Sequence, residues 1–176
     1  MRPDLAVLTS KGTAPLDTDY RVMVFAQMQN GSLAAPVMYS GGNGRCMAVA
    51  DMDGNGLMDI VVTLTSGFGI LYQSPDGTLS TMSAYGGFAC DRLALGDVNN
   101  DARPDVVTLN ATLGDSTFLV YRQTTTGFSN AQTYHTLPGA DIRIADANGD
   151  GKNDVVQLGK NGVIAFLRQA YGGLLA

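Results

Sequence analysis

Glutamate is missing from this chain, and all sixteen acidic residues are aspartate. Glu suits helix interiors, whereas Asp competes with the helical backbone and settles in turns, caps and tight loops. The bias argues for a turn-rich, all-β protein, and the 22 glycines agree with it. Tryptophan is also absent, and there is one histidine, His135. Any Ser or Cys nucleophile would depend on that one imidazole as its base, and no neighbouring pattern suggests a triad. Without Glu, a glycosidase-type carboxyl pair would have to come from Asp alone. Basic residues are few: 11 Lys and Arg, scattered along a chain of net charge −5. No basic patch marks a nucleic-acid partner. Apolar runs reach strand length, well short of the roughly 20 residues a membrane helix needs, so no membrane insertion is expected. No leader is visible either, because Met1 is followed by Arg2, Pro3 and a strand-like run, which reads as an internal boundary or a processed end.

What the chain does have is a repeat. Its 176 residues, 45% of them apolar, are enough to bury a core. Within them, residues 51–62 (DMDGNGLMDIVV), 97–108 (DVNNDARPDVVT) and 146–157 (DANGDGKNDVVQ) align without gaps. Each copy carries an oxygen-bearing side chain at positions one, three, five and nine. Each follows an alternating apolar run (CMAVA, RLALG, DIRIA) and precedes a β-branched one (IVVTL, VVTL, VVQL). Asp51, Asp97 and Asp146 lie 46 and 49 residues apart, close to the period of a four-stranded propeller blade. A fourth, broken copy opens the chain, where Arg2-Pro3-Asp4-Leu5 matches Arg103-Pro104-Asp105-Val106 and places Asp4 at position nine.

Taken from Arg92, one repeat predicts four strands, at 92–96, 106–110, 117–122 and 131–137. Gly114-Asp115-Ser116 and Thr126-Gly127-Phe128 are read as turns between them. Third strands are predicted at 21–27, 70–73 and 164–168 in the other copies, and no helical period is sustained. The expected fold is therefore all-β: about four blades of four antiparallel strands, some incomplete. The blades run over 1–44 (lacking the first strand and most of its loop), 45–90, 91–138 and 139–176 (lacking most of its last strand). A sandwich or barrel with chance likeness among its turns does not account for three acidic loops in phase.

The loops have the chemistry of a divalent-cation site. Ca²⁺ takes about six to eight oxygen ligands, which alternating side chains and an inward carbonyl can supply. The expected ligands are Asp51, Asp53, Asn55, the Leu57 carbonyl and Asp59 in the first loop. In the second they are Asp97, Asn99, Asp101, the Arg103 carbonyl and Asp105, and in the third Asp146, Asn148, Asp150, the Lys152 carbonyl and Asp154. Gly54, Gly56, Gly149 and Gly151 allow the tight wrap. Nine of the sixteen Asp fall in these loops, three in each. Carboxylates so crowded repel unless a cation joins them. Three Ca²⁺ would bring the chain from −5 to about +1. Mg²⁺ prefers a smaller octahedral shell, and zinc would want His or Cys. An EF-hand would need Glu at position twelve and flanking helices, whereas Val62, Thr108 and Gln157 stand there between strands. An Asx-rich turn without metal is the plainer reading of any one loop, but three in phase favour the metal.

These residues, DMDGNGLMD, DVNNDARPD and DANGDGKND with an apolar strand on either side, resemble the FG-GAP/VCBS repeats of integrin α-subunit propellers and many bacterial and fungal extracellular proteins. Phe68-Gly69 stands in one repeat, with no GAP after it. The resemblance implies that each loop joins the innermost strand of a blade to the second, and that complete propellers most often have seven blades. It also implies an extracellular or cell-surface module, non-catalytic, that binds, adheres or scaffolds. A lectin with pockets between blades and an accessory domain of a secreted enzyme are the alternatives. The protein or glycan ligand stays open. An unfinished array is expected either to belong to a longer propeller or to self-associate through its open edges.

The remaining features read plainly. Cys46 and Cys90 precede similar strands in consecutive repeats, which leaves open a bridge in a secreted chain or two buried thiols. His135 falls in an outer strand. Asn30-Gly31-Ser32 and Asn110-Ala111-Thr112 fit the glycosylation acceptor pattern. Tyr72, Tyr121 and Phe166 are expected to pack between blades.

Overall fold

Alternation of apolar residues every second position, broken by Gly, Asn and Asp, builds a chain of hairpins. The computed structural model describes residues 3–9, 20–110, 117–159, 162–168 and 174–175, and among these there are strands and no helix. Strands β1 (Leu5–Leu8), β2 (Arg21–Phe25) and β3 (Val37–Ser40) form the first sheet. The second comprises β4 (Met47–Ala50), β5 (Asp59–Leu64), β6 (Gly67–Leu71) and β7 (Ser83–Tyr85). The third begins with β8 (Arg92–Gly96), β9 (Asp105–Asn110) and β10 (Thr117–Tyr121). It continues through a small ribbon, β11 (Gln123–Thr124) with β12 (Gly127–Phe128), to β13 (Gln132–His135). The fourth comprises β14 (Gly139–Ala145), β15 (Asp154–Gly159), β16 (Gly162–Arg168) and β17 (Leu174–Leu175). Every pairing within the four sheets is antiparallel, and each strand pairs with its sequence neighbour except where the ribbon intervenes.

Two of the second strands, β5 and β9, carry apolar side chains at successive positions because both of their faces are covered. β9 is buried along its whole length and β5 all but its last residue. Three apolar layers result, one between each pair of successive sheets. Val22, Ile60, Val62 and Leu71 fill the first, Phe68, Ile70, Val106 and Tyr121 the second, and Val107, Phe118, Ile142 and Phe166 the third. Aromatic rings lock the layers edge to face: Phe68 on Tyr121 at 5.1 Å and Phe118 on Phe166 at 4.7 Å between centroids. The expected packing role of Tyr121 and Phe166 is what the structure shows. Tyr72 lies just beyond β6, with its hydroxyl 3.1 Å from that of Tyr85. The first strands run side by side, β4 against β8 and β8 against β14, so one end of the second, third and fourth sheets gathers along a common line.

Several elements differ from the sequence expectation. The third strand of the second sheet is 67–71 rather than 70–73, because Gly67 and Gly69 are strand residues here. A Cβ on Gly69 would lie 2.5 Å from the Met82 sulfur, so the bare backbone makes room for that side chain. Thr126-Gly127-Phe128 is not a plain turn, since Gly127 and Phe128 pair back onto Gln123 and Thr124. The Gly114-Asp115-Ser116 turn lies outside the described residues, as do Ala111 and Thr112 of one glycosylation triplet. Asn110 itself is buried, whereas Asn30 sits exposed in a turn with its Oδ1 accepting from Ser32 N–H at 3.0 Å. His135 is exposed in β13, an outer strand.

Both cysteines are free thiols. The Cys90 thiol donates to the Gly67 carbonyl at 3.1 Å, and burial pushes its pKa up to about 11. A buried thiol held in its neutral form reacts slowly. Iodoacetamide at pH 8 is therefore expected to modify half-buried Cys46 in the native protein and Cys90 only after unfolding, as read by mass spectrometry of timed samples. Equal native rates at the two sites would refute this.

Candidate metal centre

Each acidic loop links the first strand of a sheet to its second: β4 to β5, β8 to β9 and β14 to β15. The three share one hydrogen-bond scheme. The position-one carboxylate caps the turn. Asp51 Oδ1 accepts from Gly54 and Asn55 N–H at 2.8 and 3.1 Å, and its Oδ2 accepts from Gly56 N–H at 2.8 Å. Asp97 accepts from the N–H groups of Asn100, Asp101 and Ala102 in the same places. Asp146 does so from Gly149, Asp150 and Gly151. The position-three side chain (Asp53, Asn99 or Asn148) accepts from the N–H of position five at 2.9–3.1 Å. Position five (Asn55, Asp101 or Asp150) accepts from the N–H of position seven at 2.7–2.9 Å. That N–H belongs to Leu57, Arg103 or Lys152, the residues expected to offer a carbonyl.

Positions four and six need left-handed backbone in all three loops. Gly54, Gly56, Gly149 and Gly151 supply it, with φ between 77° and 83°. In the second loop Asn100 and Ala102 adopt φ of 65° without being glycine. Asn tolerates this conformation, but for Ala it costs about 1–2 kcal/mol. Ala102→Gly is accordingly expected to stabilise the protein by about 1 kcal/mol in chemical denaturation, despite the looser unfolded chain. A destabilised variant would show that the loop is not strained there.

Position nine is buried and reaches farther. Asp59 Oδ2 accepts from Met52 N–H at 2.7 Å and its Oδ1 from Gln73 N–H at 2.7 Å, just beyond the third strand. Asp105 does the same with Val98 at 2.9 Å and Gln123 at 2.8 Å. Asp154 accepts from Ala147 at 3.1 Å. Asp4, in the broken copy, accepts from Gln27 N–H at 2.9 Å. The matching of Asp4 to position nine thus holds in three dimensions. The glutamine partners were not foreseen, although Gln27, Gln73, Gln123 and Gln169 follow the third strand in every copy. Gln169 lies outside the described residues. Neighbouring repeats are also joined at the loops: Gln123 Nε2, from β11, donates to the Met52 carbonyl of the first loop, and Asn153 Nδ2 of the third loop donates to the Asp97 carbonyl of the second at 3.0 Å.

The loops differ in how closely their acids gather. Oxygens of Asp51, Asp53 and Asp59 lie within 4.8 Å of one another, and among the described residues no other acidic triad does so. The second and third loops carry Asn at position three, and their position-five acid turns to a base. Asp101 pairs with Arg103 at 2.5 Å and Asp150 with Lys152 at 3.8 Å. The first loop has Leu57 at position seven and no such competitor. Donor chemistry fits a hard cation in all three, with oxygen alone and no His or Cys.

Electrostatics divide the positions. Backbone donors, with Gly151 N–H foremost, hold Asp146 below the usual carboxylate range. Burial works against the charge on Asp97, but the N–H groups of Ala102, Asn100, Asn99 and Asp101 together outweigh it and hold this carboxyl low. At two of the position-nine acids burial wins. It pushes Asp59 up despite its two backbone donors, and Asp105 up to about 6, with Asp101 and Asp97 adding to the shift. Asp59 and Asp105 therefore favour a proton or a cation.

Antiparallel sheets stacked face to face, three of them with an oxygen-rich loop between their first two strands, define a class of repeat protein in which one loop-and-sheet unit recurs. Residues 97–157 match the family model of the FG-GAP-like repeat, so the chain carries such a repeat from its second acidic loop through its third. No curated protein matches the chain.

Proposed function

We propose that the chain is a calcium-stabilised β-propeller module of an extracellular protein, one that binds or scaffolds and does not catalyse. The observation that carries the reading is the Asp51, Asp53 and Asp59 triad, whose oxygens converge within 4.8 Å in a loop repeated twice more. Adjacent first strands and apolar layers between sheets support radial blades. Asp51, Asp53, Asn55, Asp59 and the Leu57 carbonyl would hold the ion in the first loop, with their counterparts in the others. When bound, Ca²⁺ supplies charge neutralisation and a rigid junction between strands, which are structural services. Extracellular calcium is millimolar, enough to fill even weak loops. His135, exposed in an outer strand, is poorly placed to serve a nucleophile. Isothermal titration of chelator-treated protein with Ca²⁺ tests the site. About three equivalents are expected, the first loop binding tightest, and Asp53→Asn should remove that phase. Absence of heat at millimolar Ca²⁺ would overturn the reading.

One observation favours a glycan ligand as the thing bound. A cleft of about 580 Å³ opens between the second and third sheets beside the first loop, lined by Asp53, Tyr72, Tyr85, Arg103, Gln123 and Phe128. Aromatic faces flanked by charged and amide groups suit a sugar's apolar face and hydroxyls. A glycan array screened with and without Ca²⁺ separates a lectin from a scaffold, which would bind none of the array.

A further inference from the structure

The inner sheets are covered on both faces, position by position. In β5 and β9, Ile60, Val62 and Val106 turn toward the preceding sheet, while Val61, Val107 and Leu109 turn toward the following one; all are 4% exposed or less. The same positions in the outer sheets are open. Leu5 in β1 follows its aspartate as Ile60 and Val106 do, yet it is 47% exposed. Leu158 in β15 holds the place of Leu109 and is 49% exposed. Val163, paired with Leu158 as Phe118 is with Leu109, is 67% exposed.

The inner layers show what these positions do. Phe68 and Phe118 protrude from one sheet into Tyr121 and Phe166 of the next. Each receiving ring is paired across its hairpin with the first residue after the aspartate: Tyr121 with Val106, and Phe166 with Val155. In the first sheet Phe25 is paired with Leu5 in the same way. The first sheet thus presents a receiving face of Leu5, Val7, Met23, Phe25 and Met38, and the fourth a protruding face of Val156, Leu158, Val163 and Ala165.

We propose that these two faces are the halves of one interface, and that the chain associates head to tail with a second copy of itself, Val163 of one copy seated against Phe25 of the next. A second copy is the fitting occupant because each face holds apolar residues at the same strand positions as a surface that this chain already covers with its own repeat. Such a heterologous contact closes into a ring or continues as a filament. The inference rests on the stacked-sheet part of the proposed function and not on its cation.

Light scattering on the intact chain tests it. The expected mass in millimolar Ca²⁺ is a multiple of 18.4 kDa. Val163→Lys and Phe25→Glu should each reduce it to the single-chain mass, and mixing the two should restore at least a two-chain mass, because each variant keeps the face that the other has lost. Leu5→Glu replaces Phe25→Glu if circular dichroism shows that variant unfolded. A single-chain mass for the unaltered protein overturns the proposal, and so does assembly that either variant leaves intact or that mixing fails to restore. A single-chain protein that still takes up Ca²⁺ overturns the interface alone and leaves the module reading standing.

Discussion

Millimolar Ca²⁺ is expected to raise the melting temperature of chelator-treated protein by roughly 5–11 °C for each loop filled to about 100 times its Kd. Occupancy at that level is worth about 2.7 kcal/mol, and a chain of this length moves about 2–4 °C per kcal/mol. The reason lies in crowding: the first loop holds three carboxylates within 4.8 Å, one of them fully buried. The gain should shrink as pH falls. Burial raises Asp105 to about 6 from the ordinary 3.8 of an exposed aspartate, so the folded chain holds that proton more tightly than the unfolded one. In chelator its contribution to stability is whole below about pH 4 and is lost as pH rises through about 6. Ca²⁺ replaces the proton, so the shift it produces should be larger at pH 7.5 than at pH 5, with scanning calorimetry as the measurement. A melting curve indifferent to Ca²⁺ at pH 7.5 sinks the structural-cation reading.

The parts of this molecule legible in its sequence are those set by local pattern. The loops could be aligned because one spacing of Asp and Asn repeats. β9 and β15 could be placed because β-branched runs follow those loops directly. Asp4 could be matched from the four residues Arg2-Pro3-Asp4-Leu5 alone. What pattern did not reveal was set by contacts distant in sequence. The strand at Gly67 and Gly69 has poor β propensity and is held by its neighbours, with Gly67 N–H donating to Phe88 O at 3.1 Å. The ribbon at Gly127 exists because Phe128 packs on Phe68 and Tyr85, with centroids 5.1 and 4.9 Å apart. The unequal gathering of the acids was only half legible: Asn99 and Asn148 replace the acid of position three, but the pairing of Asp101 with Arg103 and of Asp150 with Lys152 emerges only in the folded chain.

One consequence is a division of labour within each loop. Position one shapes the turn through backbone donors, which hold Asp97 and Asp146 below the usual carboxylate range. Position nine ties the loop to the far end of the sheet. The side chain of Gln123 then ties the third sheet to the first loop, and that of Asn153 ties the third loop to the second. A cation in one loop would thus stiffen an element that its neighbour shares, and the apolar layers beneath would transmit the stiffening because the second and third sheets are packed on both sides.

Position nine is where a single change should cost most without any metal present. Asp105→Ala is expected to destabilise the chelator-treated protein by on the order of 4 kcal/mol, because Val98 N–H and Gln123 N–H would both be left buried and unpaired at about 1–3 kcal/mol each. Asp105→Asn keeps one acceptor and turns an NH₂ toward the other donor, so it should cost roughly half as much. Asp101→Ala removes an acid from the same loop whose ion pair with Arg103 is partly solvated. It should cost under about 1 kcal/mol in chelator, yet it should weaken the response to Ca²⁺. Urea denaturation of the three variants, with and without Ca²⁺, separates the roles. If Asp105→Ala and Asp101→Ala lose equal stability in chelator, position nine is only a ligand and not the tie that joins loop to sheet.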